Sequence, residues 1–305
     1  MRFYWEGMGR FGSVKKVTMI DLNKKMDVAT ACREIVKNCL QQLQDNTVGF
    51  LDGEEDCEYL RQMRVGIRRM RSAFSVFSHA FGNTIFSDII RELRWLSGEL
   101  GPARNWDVFV LEILPPVVNA LSSKYDFTKL MQASEILRRK NRERAVTATE
   151  SQRFKVLLLK LGAVLSSDTW PQKDASPVGD FADLILEKCY RNFEKSGRRV
   201  TTLDAKKLHA LRIDGKKLRY AAEFFSPLYS ARAVRAFLSA MSGLQDALGA
   251  VNDAATTNHL LEELPNVDPG AFCLVKGWMA CESVQRISRL GPQWVKFNTI
   301  DPFWN

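Results

Sequence analysis

The chain holds little of what most small-site chemistry requires. It has three histidines and six cysteines in 305 residues. His79, His209 and His259 stand far apart, and no two cysteines form a CxxC pair, so nothing has the close ligand spacing of a zinc site. Several of Cys32, Cys39, Cys57, Cys189, Cys273 and Cys281 fall in apolar helical patterns, where a thiol acts as a small hydrophobe. Free thiols in a cytoplasmic protein follow, rather than a disulfide framework. No stretch approaches the ~18 uncharged apolar residues of a membrane span. The aromatic start Arg2-Phe3-Tyr4-Trp5 is interrupted by Glu6 and Gly7 before any signal-peptide core forms. Period-two alternation, the mark of strands, is missing as well. This reading names no metal, no cofactor and no catalytic residue.

What the chain does have is positive charge, in two places. Leu208 to Phe225 reads LHALRIDGKKLRYAAEFF. At a helical period, Leu208, Leu211, Leu218, Ala222 and Phe225 share an apolar stripe, and His209, Arg212, Lys216 and Arg219 form a second one. Each cation follows an apolar position by one residue, so the basic stripe lies about 100° round the helix, beside the buried face and not opposite it. Subtracting 148 from each number gives Leu60 to Phe77, LRQMRVGIRRMRSAFSVF, with an apolar stripe of Leu60, Met63, Ile67, Met70, Phe74 and Phe77. Its basic stripe is Arg61, Arg64, Arg68 and Arg71. Only Ile67 lacks an apolar counterpart, since Gly215 stands there. The same offset carries Leu100-Gly101 onto Leu248-Gly249, so one helical unit occurs twice.

Arg61 to Arg71 holds five Arg and no acid, a local charge of +5, and Lys206 to Arg219 holds six Lys/Arg against Asp214, again +5. The whole chain is +9, so everything else sums to about −1. Basicity this localised points to an anionic partner held between the copies.

In chain order, residues 1–22 read as an irregular arm that folds onto the body. Asp27 caps a first helix running to about Asp45, and the loop NTVGFLDGEED leads to the first basic helix, about Glu54 to Ala80. A third helix from about Thr84 should be broken or re-aimed at Gly101-Pro102, and its continuation should end at Pro115-Pro116. Helices over about Phe127–Ala148 and Gln152–Leu165 complete repeat 1 (about 27–165), followed by a linker (about 166–180). Repeat 2 (about 181–305) holds helices over about Phe181–Lys195, Asp204–Phe225, Ala231–Glu263 and Ala271–Leu290, then an aromatic tail that packs back. The class is all-α, two antiparallel helical bundles related by an internal pseudo-twofold.

LHALRIDGKKLRYAAEFF, LQDALGAVNDAA, RVGIRRMRSAF and ELGPARNWDV together resemble the motifs of the conserved-histidine α-helical domain, or CHAD, family. FADLILEKCYRNFEKSGRRV and KGWMACES fit as well, so the resemblance spans about Asp27 to Trp304 and gives a domain over residues 23–305. It implies two four-helix bundles around a basic central pore or cleft. It also implies non-catalytic binding of inorganic polyphosphate, localisation to polyphosphate granules and the company of granule-associated proteins. Carried over by position, the binding residues are Arg64, Arg68, Arg69 and Arg71, then His209, Arg212, Lys216, Lys217 and Arg219, with Arg61 where the family usually has histidine. That departure weakens any role for paired histidines in metal chelation, while an always-charged Arg suits phosphate. Asn105 replaces a usual Asp.

Linear polyphosphate suits such rows on physical grounds too. It carries about one charge per internal residue and has no bases to stack, and side chains three and four apart on a helix lie roughly 5–6 Å from one another. Forked Arg donors grip phosphate oxygens, Lys supplies point charges, and counterion release makes affinity salt-dependent. Plainer readings stand beside this one. The stripes could pair with acids on neighbouring helices, and His209 could be a hydrogen-bonded boundary residue. Arg138, Arg139, Lys140, Arg142 and Arg144 read as a solvated face, and Asp107, Asn252 and Asp253 as helix caps or as carboxylates and amides that orient the arginines. Tyr220 packs with its hydroxyl near the pore. Nucleic-acid binding is the second reading, disfavoured because no aromatics interleave with the cations. A polyphosphate or triphosphate hydrolase is the third, lacking carboxylates in the stripes beyond Asp214.

Overall fold

If the chain is a duplicated unit, helix boundaries should recur at the same offset as the basic stripes. The computed structural model describes residues 13–52, 56–82, 86–167, 176–265 and 268–305. In order, the helices are α1 (Val28–Leu51), α2 (Cys57–Phe81), α3 (Ser87–Val108), a π-helical segment (Phe109–Ile113), α4 (Leu114–Leu121), α5 (Thr128–Glu150) and α6 (Gln152–Leu165). They continue as α7 (Val178–Gly197), α8 (Ala205–Phe225), α9 (Ala231–Glu263), α10 (Pro269–Ser288) and α11 (Leu290–Asn298). Ala205 less 148 is 57, where α2 begins. The caps recur too: the Asp56 carboxylate accepts from the Glu58 N–H, and the Asp204 carboxylate from the Lys207 N–H, both at 2.8 Å, which satisfies a donor that the helix start leaves open. The chain is all-α; among the described residues the one extended pairing is an isolated bridge between Asp27 and Pro177.

Both apolar stripes are buried as their spacing requires. Leu60, Met63, Ile67, Met70, Phe74 and Phe77 have no exposed surface, nor do Leu211, Leu218, Ala222 and Phe225. In the first half α1 packs on α2, α2 on α3, and α3 on α5; in the second α7 packs on α8, α8 on α9, and α9 on α10 and α11. The halves join where α2 meets α8. There the rings of Phe77 and Phe225, equivalent under the offset, lie edge to face with centroids 5.9 Å apart. Two copies of one position touching each other mark the local axis of the duplication. A second seam lies at the far side, where Trp106, Phe109, Leu114 and Val117 share a core with Leu260, Leu261 and Val275.

Four sequence expectations need correction. The first helix does not stop near Asp45 but runs to Leu51, because Phe50 is fully buried and Gly49 lets α1 sit against the Tyr59 ring, where a Cβ would lie 2.4 Å from a ring carbon. Gly101-Pro102 does not break α3; the buried Leu100, Ala103 and Trp106 hold the turn around a proline that costs one hydrogen bond. Nor does the helix end at Pro115-Pro116: the π-helical segment just before it widens the ladder, and both prolines sit at the start of α4, where their missing N–H groups are tolerated. The tail contains a helix, α11, and then packs back through Trp294, Phe297 and Trp304 as the aromatic content suggests. Within the arm, Ile20 and Leu22 are buried; residues 1–12, the start of the third helix at Thr84, and linker residues 168–175 lie outside the described residues.

Gly197 closes α7 directly under the Trp294 indole, where a Cβ would stand 1.8 Å from a ring carbon. Gly98, exposed within α3, has nothing within 4 Å of that position. Thermal melts should therefore show Gly197→Ala destabilised by about 1–3 kcal/mol and Gly98→Ala stabilised by roughly 0.5–1 kcal/mol. An unchanged Gly197→Ala melt would contradict the packing of α11 on α7.

Candidate functional site

The basic stripes of α2 and α8 meet at the same seam as Phe77 and Phe225. Arg68 Nε donates to the Tyr220 hydroxyl across the axis, and its guanidinium lies 5.7 Å from the Tyr220 ring centre. Lys216, the equivalent of Arg68, faces Arg212, Arg68 and Arg64. Arg64 is in turn the equivalent of Arg212. Two pairs of equivalent cations are thus gathered in one partly buried cluster, and their electrostatics register it. Burial first, then Arg212 and Arg68, bring the Lys216 ammonium down from 10.5 to about 7. Burial first, then Arg68 and Arg104, bring Arg64 down to about 10. Arg212 is lowered by burial, with Asp253 opposing the shift and Arg68 adding to it.

The decisive feature is what these cations lack. Among the described residues, none of Arg64, Arg68, Arg69, Arg71, Arg212 and Lys216 forms an ion pair, although fifteen such pairs occur elsewhere. Arg64 Nη1 donates only to the Ser97 carbonyl, at 3.2 Å, in a space that Gly101 keeps open: a Cβ there would lie 3.2 Å from the same nitrogen. Gly249, the equivalent glycine, meets only an ordinary 3.9 Å contact with Asp253. Arg71 is half-buried and lowered by burial and by Arg94 of α3. One carboxylate that faces the cluster is Asp253, near Arg212, Arg286 and Lys216, and burial keeps its pKa raised in spite of them.

The remaining sequence candidates lie apart or are already paired. Arg61 is exposed and holds Glu58 at 2.6 Å, and Arg219 holds Glu223 at 2.7 Å and Gln245 at 2.9 Å. Lys217 is one residue, and so about 100°, away from Lys216; it faces α7, beside Cys189, with Asp214 at 3.6 Å. His209 is exposed on the Arg212–Lys216 stripe. Arg69 is buried, over the Phe224 ring. Asp253 sits within α9, and Asp107, next to last in α3, runs straight on into the π-helical segment, so neither caps a helix start; Asp107 accepts from Arg138 Nη1 at 3.3 Å. Arg138 is accordingly tied into the structure, also by Glu135 at 2.7 Å, where a solvated face was expected.

Sequence reasoning missed Arg94 and Arg104, which α3 brings beside the α2 row. Neither belongs to a stripe, and position 104 plus 148 is Asn252, so the repeat gave no signal. A cavity of about 750 Å³ lies between the π-helical segment and α10. Its lining carboxylates Glu112, Asp253 and Glu282 outnumber Arg286, so it suits a polyanion less well than the cation cluster does.

The CHAD domain family profile matches residues 34–262. Among solved structures, the crystal structure of the CHAD domain from the plant Ricinus communis is similar over 95% of this chain and 98% of that one, with a TM-score of 0.82 and 29% identity. PptA from Streptomyces chartreusis shares the fold, with a TM-score of 0.63 at 15% identity over 90% of this chain and 99% of that one. A comparison with curated protein sequences returns no match.

Because Lys216 titrates near 7 in the fold and near 10.5 when unfolded, its charged form opposes folding. That opposition is complete below about pH 7 and is relieved as pH rises from there toward the unfolded value. Lys216→Met should thus raise the melting temperature most below pH 7, and the advantage should shrink by about pH 9. A pH-independent difference would contradict the crowding.

Proposed function

The chain belongs to the CHAD domain family, and on that premise we propose that it binds inorganic polyphosphate in the cleft between α2 and α8 without transforming it. The observation that carries the reading is the cluster of Arg64, Arg68, Arg212 and Lys216, two pairs of equivalent positions in the two copies, with no ion pair among the described residues. Bringing such cations together costs free energy in the free protein, and a flexible chain with one charge per unit offsets that cost along its length. Arg64, Arg68 and Arg212 supply forked donors and Lys216 a point charge. Arg71 of α2 and Arg94 of α3 extend the row, and Arg104 beside Arg64 can exchange Glu112, at 2.8 Å, for phosphate. Arg61 and Arg219 can exchange exposed or half-exposed carboxylates for phosphate, since such ion pairs are weak in water. Lys217, turned toward α7, belongs to the site least, and His209 lies at its exposed edge.

A bare phosphate polymer fits better than a nucleic acid, because the aromatics at the seam are packed in: Tyr220, Phe224 and Phe225 are buried and offer no stacking platform. Binding without turnover fits the same picture. Hydrolysis of phosphoanhydrides draws on carboxylates that hold metal ions; beside the cluster stand Asp253 and Glu223, and Glu223 is already held by Arg219 at 2.7 Å. Association with polyphosphate granules is the proposed consequence in a cell.

Charge reversal at Arg64 or Arg212 should weaken polyphosphate binding by at least ~2 kcal/mol, about thirtyfold, with helicity unchanged by circular dichroism. Affinity should also fall steeply with salt, as counterion release requires. Competition at equal phosphate concentration separates the readings: displacement of long polyphosphate by short RNA would favour a nucleic-acid binder, and phosphate release with Mg²⁺ would favour an enzyme.

A further inference from the structure

Beside the α2–α8 contact lies a recess of about 460 Å³ whose walls carry Lys16, Arg61, Arg68, Arg69, Lys216 and Arg219, opposed by the carboxylate of Glu223. Glu223 is held by Arg219 and Arg61 turns to Glu58. Arg69 is the informative residue. It is 2% exposed, yet its Nε and Nη1 have no hydrogen-bond partner among the described residues. Its guanidinium carbon lies 5.6 Å from the centre of the Phe224 ring, an attraction too weak to replace lost hydration. A buried cation with open donors at the wall of a recess is a built place for an anion.

Lys16 reaches this recess from the N-terminal strap, which precedes the family-matched residues 34–262. Two asparagines of α1 pin the strap. Asn46 accepts from the Lys15 N–H at 3.1 Å and donates to the Lys15 carbonyl at 2.9 Å, and Asn38 donates to the Thr18 hydroxyl at 2.7 Å. Lys16 and Val17 are held between these two anchors, at the mouth of the recess.

Resting on the polyphosphate reading, we infer that this recess is a subsite for the terminal phosphate of the chain, with Arg69 as its deepest donor and Lys16 of the strap closing over it. Arg68 and Lys216 belong both to the recess and to the cross-axis cluster, so a chain gripped by the cluster can turn its end inward without release. A linear polymer presents only its end to a recess whose far wall is a buried side chain. The end unit also carries about two charges where an internal unit carries one, and has one more unbridged oxygen, which matches several converging donors.

The test is calorimetric titration of the full chain with polyphosphate of one defined length, either with free termini or with both termini blocked as uncharged amidates. The wild type should bind free-ended chains about tenfold more tightly, ~1.4 kcal/mol. Arg69→Met and Lys16→Glu should each reduce that preference while still binding blocked chains. The melting temperature of unliganded Arg69→Met should hold or rise, since an unpartnered buried cation is removed; a marked fall would show that Arg69 is structural and would overturn its role as donor. Equal wild-type affinity for both chains, or a preference that survives in both variants, would overturn the subsite while leaving polyphosphate binding intact. If the wild type bound neither chain, the parent reading would fail instead.

Discussion

Repulsion between cations that the fold itself brings together is the constraint on which the rest of this structure depends. Like charges about 4 Å apart cost ~4 kcal/mol at an effective dielectric of ~20, and partial burial adds to that. Proteins ordinarily relieve such crowding with carboxylates, and this chain does so freely at its periphery: Arg144 takes Glu99, Arg153 takes Glu92 and Arg191 takes Glu187. At the axis it does not. The apolar stripes of α2 and α8 supply the counterweight, because burying Phe77, Phe225 and their neighbours forces the adjoining basic stripes into the seam. A cost localised in this way is one that an anionic ligand can remove.

Much of this was legible in the sequence because it follows from periodicity. The offset of 148 located both basic helices and made Phe77 and Phe225 equivalent; that the two rings meet, and that Asp56 and Asp204 cap the two helices, came only with the structure. The adjacency of basic and apolar stripes, read as an angle of about 100°, foretold that Arg64, Arg212 and Lys216 would lie half-buried at the edge of the core, while Arg68 on the same stripe is exposed. What was not legible depends on tertiary packing. Gly101-Pro102 and Pro115-Pro116 look like breaks, but a long apolar face and a π-helical widening carry the helix through them. The polar run after Asp45 looks like a loop, but Gly49 packs on Tyr59 of α2 and the Phe50 ring lies under Arg142 of α5. Which cations are neutralised was partly legible, since Glu58, Asp214 and Glu223 each pair with a cation three or four residues away on the same helix, Arg61, Lys217 and Arg219. Arg94, Arg104 and Lys16 have no periodic signal at all.

The two copies have also diverged where they face each other. Arg68 stands opposite Lys216, Arg61 matches His209, and Gly101 makes room for a guanidinium that its counterpart Gly249 does not need to accommodate. Asp253 faces Arg212 and Lys216 from α9, whereas Arg94 adds positive charge from α3 and Arg104 stands beside Arg64 with Glu112 at 2.8 Å. The cleft is therefore electrostatically uneven: its α2–α3 side is lined by arginines, while its α8–α9 side carries Lys216, whose ammonium burial and neighbouring arginines bring down to about 7. Binding at such a site is coupled to proton uptake in a way that a symmetric row of arginines could not be.

The account turns on whether the cation at the axis is held short of its ordinary basicity until an anion arrives. The most direct measurement is the titration of the Lys216 Nζ by nuclear magnetic resonance, with and without polyphosphate. Without ligand its midpoint should fall near 7, and with ligand it should move back to the ordinary lysine range near 10.5 or above. A midpoint already near 10.5 in the free protein, or one that polyphosphate leaves where it was, would contradict the account.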